Sequence, residues 1–124
     1  MTGLIDRVKL YWALLTALIL TSIILLSLWP ADALPPVPGS DKTHHLIAYT
    51  VLVLPVALRK PKHWLLIVLL FIACSGLIEL IQPFVNRYGE WLDMLANNAG
   101  VICGIIIAST INFFFAGKVE GNAM

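Results

Sequence analysis

Charged residues are scarce in this chain of 124 residues, and their scarcity indicates its class. Only 12% of the residues are charged and 60% are hydrophobic, which is more apolar surface than a small soluble domain can bury. A lipid bilayer can accommodate that surface, so the composition indicates an integral membrane protein. The chain also has no basic run longer than "RKPKH", residues 59–63, which argues against a nucleic-acid partner.

Cysteine is also scarce, and no recognisable metal-binding spacing is present. Cys74 and Cys103 each lie inside an apolar run, and we interpret both as small buried hydrophobic residues. Neither a CxxC nor an HExxH spacing occurs in the chain. The sequence therefore predicts no metal and no other cofactor.

Four apolar runs alternate with short polar segments. At about 1.5 Å per residue, a run of about 20 residues covers the roughly 30 Å of hydrocarbon in a bilayer. For the first run a cleaved signal peptide is the alternative, but signal peptides have shorter apolar regions. The pattern predicts an all-α, membrane-embedded bundle of four transmembrane helices within one domain, residues 1–124. The predicted helices cover about residues 8–29, 42–59, 64–82 and 92–115.

Lysine and arginine are unevenly divided between the two ends of these helices, and this asymmetry predicts the orientation. One end has Lys42 and Arg87. The other end has Arg7, Lys9, Arg59, Lys60, Lys62 and Lys118. We therefore expect both termini in the cytoplasm, with the proline-rich segment after Trp29 and the loop around Arg87 facing outward.

The remaining polar residues gather at the predicted outer ends of three helices. Apart from Lys42 and the loop residue Arg87, those within one helix are spaced by three or four residues, so each set lies on one helix face. Ionisable groups inside a membrane are costly and are therefore functional candidates. We predict one outward-facing polar site built from three helix ends. Its residues are Asp41, Lys42, His45, Tyr49, Glu79, Gln82, Arg87, Asp93 and Asn97.

Two glycines continue the stripe that Asp93 and Asn97 begin. Gly100 and Gly104 form a GxxxG spacing, which allows another helix to approach closely. We therefore predict that this stripe packs against a helix inside the bundle and does not face lipid.

Two stretches of the chain resemble the VanZ-like family. "DKTHHLIAY", residues 41–49, is similar to its D-K-x-x-H-x-x-x-Y opening. "ELIQPFVNRYGEWLDMLANNAGVICG", residues 79–104, is similar to its later block, E-x-x-Q, an arginine, then D-x-x-x-N-x-x-G-x-x-x-G. The resemblance covers about residues 40–104, with Val85-Asn86 where the family usually has Pro-Gly. It implies a small multi-pass protein of the bacterial cytoplasmic (inner) membrane. The family takes its name from a protein linked to resistance to teicoplanin, a glycopeptide.

We expect the site to bind, and in one version to modify, a cell-envelope lipid or lipid-linked precursor. The expected catalytic residues are Asp41, His45, Glu79 and Asp93, with Asp41 orienting the imidazole that moves a proton. The expected ligand-binding residues are Lys42 and Arg87, which suit phosphate, together with Tyr49, Gln82 and Asn97. Whether the protein is an enzyme stays open at this point.

Two alternatives remain beside this hypothesis. The polar residues can instead form a structural network that locks the helix bundle, with function in assembly. A divalent metal can also lie among the catalytic candidates, because carboxylate and imidazole groups suit such an ion. A proton path across the membrane is disfavoured, since the inner halves of the helices have almost no ionisable groups.

Overall fold

The computed structural model describes residues 2–29, 41–85 and 91–123, with side chains over residues 3–29, 42–85 and 91–115. Within these residues every regular element is a helix, which confirms the predicted all-α class. The helices are α1 (Thr2–Leu10), α2 (Trp12–Leu28), α3 (Asp41–Arg59), α4 (Trp64–Ile81) with a short 3₁₀ helix (Gln82–Val85), and α5 (Trp91–Ala123).

Two of the described helices are long and apolar enough to cross a membrane. They are Trp64–Val85, with a mean hydropathy of 2.6, and Trp91–Phe115 of α5, with a mean hydropathy of 1.8. Leucine and isoleucine side chains such as Leu69 and Ile106 are exposed on their outer faces, where lipid would cover them. Over the described residues the protein is therefore helical, and two of its helices have the length and composition of membrane spans.

A sharp bend interrupts the first predicted helix. The axes of α1 and α2 differ by 75° at Tyr11, so the segment expected as one helix over residues 8–29 is two. α1 contains Asp6, Arg7 and Lys9, which favour the membrane surface over the hydrocarbon. An aromatic pair, Tyr11 and Trp12, lies at the bend, as is typical of a membrane interface. The two helices provide a third candidate span if they count as one.

α3 is the central helix of the structure and contacts each of the other described α-helices. Leu52, Val53 and Val56 have no exposed surface, and Pro55 is buried within the helix. The polar residues at the start of α3 lower its mean hydropathy. Among the described helices, α3 is therefore not apolar enough to count as a candidate span by composition. Since protein rather than lipid covers most of α3, packing can compensate for this lower hydropathy.

Glycines bring the backbones of α3 and α5 into close contact. A Cβ atom at Gly100 would overlap the carbonyl oxygen of Leu46, and one at Gly104 would overlap the Val53 side chain. The hydroxyl of Thr50 donates a hydrogen bond of 3.0 Å to the Gly100 carbonyl. Only glycine fits at these two positions without displacing α3, which fixes the register of α5 along it.

Two amide side chains connect other parts of the bundle. Gln82 Nε2 donates to the carbonyl oxygen of Ser27 at 3.1 Å, so the end of α4 is joined to the end of α2. Asn112 Nδ2 donates to the carbonyl oxygen of Leu58 at 3.1 Å, near the opposite end of the α3–α5 contact. These bonds satisfy backbone carbonyls at helix ends, where partners within the helix are missing.

Candidate functional site

Polar residues from α3, α4 and α5 meet at one end of the structure. His45, Glu79 and Asp93 each place a potential ligand atom within 4.8 Å of the other two. His45 and Glu79 are partly buried, and Asp93 is buried with 4% of its surface exposed. We call these three residues, together with Lys42 and Asn97, the polar cluster. The three contributing helices are those that the sequence predicts for an outer site.

Asn97 determines the orientation of the His45 ring. The Oδ1 atom of Asn97 lies 2.9 Å from Nδ1 of His45, and because an amide oxygen can only accept, Nδ1 donates. In the neutral ring the lone pair is then on Nε2, which lies 3.8 Å from Oδ2 of Asp93. From sequence we expected Asp41 to orient this ring. Asp41 begins α3, but its side chain lies outside the described residues.

Asp93 combines burial with two sources of positive potential. It lies in the first turn of α5, where the helix dipole favours a carboxylate. Lys42 Nζ is 3.7 Å from its Oδ1 atom, and 47% of the Lys42 side chain is exposed. Oδ1 is buried and accepts no hydrogen bond from the described residues, so this ion pair is its main electrostatic support. Asp93 therefore lies next to positive potential although it is nearly excluded from solvent.

Three further candidates from the sequence occupy different places. Tyr49 lies one turn along α3 from His45, is 2% exposed, and has Cys74 and Glu79 as electrostatic neighbours. Gln82 is buried and donates one N–H of its amide to the carbonyl oxygen of Ser27 on α2, so this bond joins two helices and does not face a ligand. Arg87 lies outside the described residues.

A groove between α4 and α5 runs up to the polar cluster. Its volume is about 540 Å³. Among the described residues that line it, Glu79 alone is charged, and the others are Ala73, Gly76, Leu77, Leu80, Trp91 and Met94. We call it the α4–α5 groove. The sequence did not predict this groove, because the order in which the helices pack cannot be inferred from their periodicity.

The fold and the site define a small helical membrane protein with a partly buried polar cluster beside an apolar groove. The chain matches the VanZ/LLP1 family model over residues 11–114, most of its length. It therefore belongs to the VanZ/LLP1 family, which confirms the resemblance seen in the sequence. No curated protein and no solved structure matches the chain significantly.

Proposed function

We propose that this protein binds an amphiphile of the cell envelope, such as a phospholipid or a lipid-linked cell-wall precursor. The headgroup would contact the polar cluster and an acyl chain would lie in the α4–α5 groove. The observation that supports this proposal is the position of Glu79, which lines the apolar groove and belongs to the polar cluster. One residue thus joins two chemically different surfaces, as an amphiphile requires.

The size and chemistry of both surfaces suit such a ligand. A volume of about 540 Å³ lies within the range of ordinary small-molecule sites. The Lys42 side chain is 47% exposed, and its ammonium group can pair with a phosphate. We propose that Arg87 also binds the phosphate, with two hydrogen bonds from its guanidinium group. The carboxylates of Glu79 and Asp93 can accept hydrogen bonds from headgroup hydroxyls or an ammonium group.

The proposal includes a topology for the chain. Four spans are formed by the α1–α2 pair, α3, α4 and α5, and both termini lie in the cytoplasm of a bacterium. The polar cluster then faces outward at the surface of the cytoplasmic membrane, where lipid-linked precursors are used. The excess of lysine and arginine at the opposite end supports this orientation.

A proton-transfer step is the catalytic version of the proposal. Nε2 of His45 carries the lone pair because Asn97 accepts from Nδ1, so the ring can take a proton from a bound headgroup. Glu79 or Asp93 would stabilise the resulting imidazolium. Binding alone does not need this step, and turnover of a bound lipid would have to be measured separately.

The binding proposal can be tested with purified protein in detergent and in nanodiscs. Mass spectrometry would identify the lipids that co-purify, and the binding of each would then be titrated. We expect Glu79→Gln to weaken binding by about 10-fold to 100-fold, the effect of losing one charge-assisted hydrogen bond. Asp6→Asn in α1 is the matched control. Unchanged lipid binding by the Glu79→Gln protein would overturn the proposal.

A structural role for the polar cluster is the second candidate. The His45–Asn97 and Thr50–Gly100 hydrogen bonds join α3 to α5 and favour it. In a host lacking the gene, alanine variants at His45 and Asp93 would be scored for protein level, melting temperature and sensitivity to envelope antibiotics, teicoplanin included. Parallel loss of level, stability and phenotype would support a structural lock. Loss of phenotype alone would support the binding site.

A further inference from the structure

We propose that His45, Glu79 and Asp93 bind a divalent transition-metal ion, Zn²⁺ or Mn²⁺, where the ends of α3, α4 and α5 meet. The inference goes beyond the proposed function and does not depend on it, because it concerns these side chains alone. Metal binding can accordingly be measured in the absence of any lipid.

The distances fit a single ion between the three side chains. Metal–ligand bonds of about 2.0–2.2 Å place neighbouring ligands of a tetrahedral ion about 3.4 Å apart. Nε2 of His45 and Oδ2 of Asp93 are 3.8 Å apart, and all three potential ligand atoms lie within 4.8 Å of one another. Rotation about the flexible Glu79 side chain would bring its carboxylate the remaining distance of roughly an ångström.

The electrostatics of the cluster also call for a cation between these groups. The carboxyl groups of Glu79 and Asp93 lie within 4.8 Å of each other at a site with little solvent, where two negative charges would repel one another and a cation between them would relieve this repulsion. The lone pair of His45 Nε2 also faces the Asp93 carboxylate, at a distance too long for a hydrogen bond. Lys42 pairs with Oδ1 of Asp93, whereas the other oxygen, Oδ2, faces His45 and can bind a metal ion.

The surrounding residues resemble the outer shell of a metal site. Metal-binding histidines usually donate their other ring N–H to an acceptor that fixes the ring, and Asn97 Oδ1 is such an acceptor for Nδ1. Asp93 is independently positioned by Lys42, and its buried Oδ1 accepts no hydrogen bond from the described residues. Both ligands are thus held in place by side chains that do not themselves bind the ion.

The donor set narrows the choice of metal. One imidazole nitrogen with two carboxylate oxygens suits Zn²⁺ or Mn²⁺, whereas Mg²⁺ and Ca²⁺ prefer oxygen donors alone. Three protein ligands leave at least one coordination position for water or for another molecule. The types of these residues had already made a metal an alternative, but their spacing formed no metal-binding motif, because each of the three ligands comes from a different helix.

The test is a metal titration of the purified full-length protein. The protein would be stripped with EDTA, titrated separately with Zn²⁺, Mn²⁺ and Mg²⁺ by calorimetry, and melted with and without each ion. We expect saturable binding of Zn²⁺ or Mn²⁺ at one ion per chain, with a higher melting temperature than in EDTA. Glu79→Gln, Asp93→Asn and His45→Gln should each weaken binding by about 10-fold or more, and Asn97→Ala by about 10-fold to 100-fold.

His44→Gln is the matched control, since His44 is the neighbouring histidine outside the three-residue group and this change should leave the affinity unaltered. A cooperative melting transition in EDTA shows that each variant is folded. The rise in melting temperature when metal is added to the unaltered protein tests the proposal even if a variant fails to fold. Absence of saturable binding by the unaltered protein would overturn the proposal. The proposal would also be overturned if the Glu79→Gln and Asp93→Asn proteins bound the metal as tightly as the unaltered protein.

Discussion

α5 meets its two neighbours, α3 and α4, in opposite ways. On the α3 side, any Cβ atom at Gly100 or Gly104 would overlap atoms of α3, so the two backbones are in close contact. On the α4 side, a Cβ atom at Gly76 would meet only the Met94 side chain, at 3.4 Å, and the α4–α5 groove remains beside it. Small residues therefore close one interface and leave space in the other.

The polar cluster lies where these two interfaces reach the same end of the structure. The α3–α5 interface, which is closed, contributes the His45–Asn97 hydrogen bond to the cluster. The α4–α5 interface, which is open, contributes Glu79. The rigid α3–α5 contact can hold His45 and Asp93 in register, while the open side can admit a ligand. We infer that stability depends mainly on the closed interface and that binding depends mainly on the open one.

Gly104→Leu is expected to have the largest effect on stability. The new side chain would collide with Val53 and with the backbone of Thr50. Because both helices are tightly packed here, relief requires their separation, and we expect a loss of about 3 kcal/mol or more in the free energy of unfolding. Unfolding in detergent measures this loss. Gly3→Ala, with nothing within 4 Å of the added atom, is the control. A Gly104→Leu protein as stable as the unaltered one would contradict a closed interface.

Asn97→Ala should have the next largest effect. The change removes the hydrogen bond to the His45 ring and leaves a partly buried donor without this partner, so we expect a cost of about 1–2 kcal/mol. Asn98→Ala is the matched control, because the Oδ1 atom of Asn98 accepts no hydrogen bond from the described residues. Both proteins would be melted in EDTA. An equal cost at the two positions would show that Asn97 does not hold His45.

Thr50→Val should cost less. Oγ1 of Thr50 donates to Gly100 on α5, but also to Leu46 within its own helix at 2.7 Å. Valine keeps the shape of threonine, and hydrogen bonds between membrane helices average about 0.6 kcal/mol, so we expect a loss of that size. Thr110→Val is the control, since the Thr110 hydroxyl donates to Ile106 of its own helix. If Thr50→Val and the control lose the same stability, the hydrogen bond from Thr50 to Gly100 does not stabilise the α3–α5 interface.

Much of this arrangement could be predicted from the sequence, and the missing parts share one cause. Apolar length identified the helices, and spacing placed Asp93 and Asn97 on one face of α5. What periodicity cannot supply is the identity of the neighbour that each face meets. The pairing of Asn97 with His45, the central position of α3 and the α4–α5 groove all depend on that information. The bend at Tyr11 was missed because the apolar pattern continues through it.

Gly76→Leu should have the smallest effect on stability and yet a clear effect on binding. Gly76 lines the α4–α5 groove, so the added side chain would enter open space instead of packed protein. Leucine also favours the helix over glycine, by about 0.5–1 kcal/mol, which offsets small adjustments of Met94. We therefore expect a melting temperature close to that of the unaltered protein.

Binding of the co-purifying lipid to the Gly76→Leu protein should fall by about 10-fold or more, since the side chain occupies the space of the acyl chain. Zn²⁺ binding should be unchanged, because Gly76 lies outside the metal-binding group. Leu66→Ile, on the exposed outer face of α4, is the control for a change that only lipid would contact. A stable Gly76→Leu protein that still binds the lipid normally would show that the groove is not the binding surface. The open interface would then differ from the closed one in packing alone.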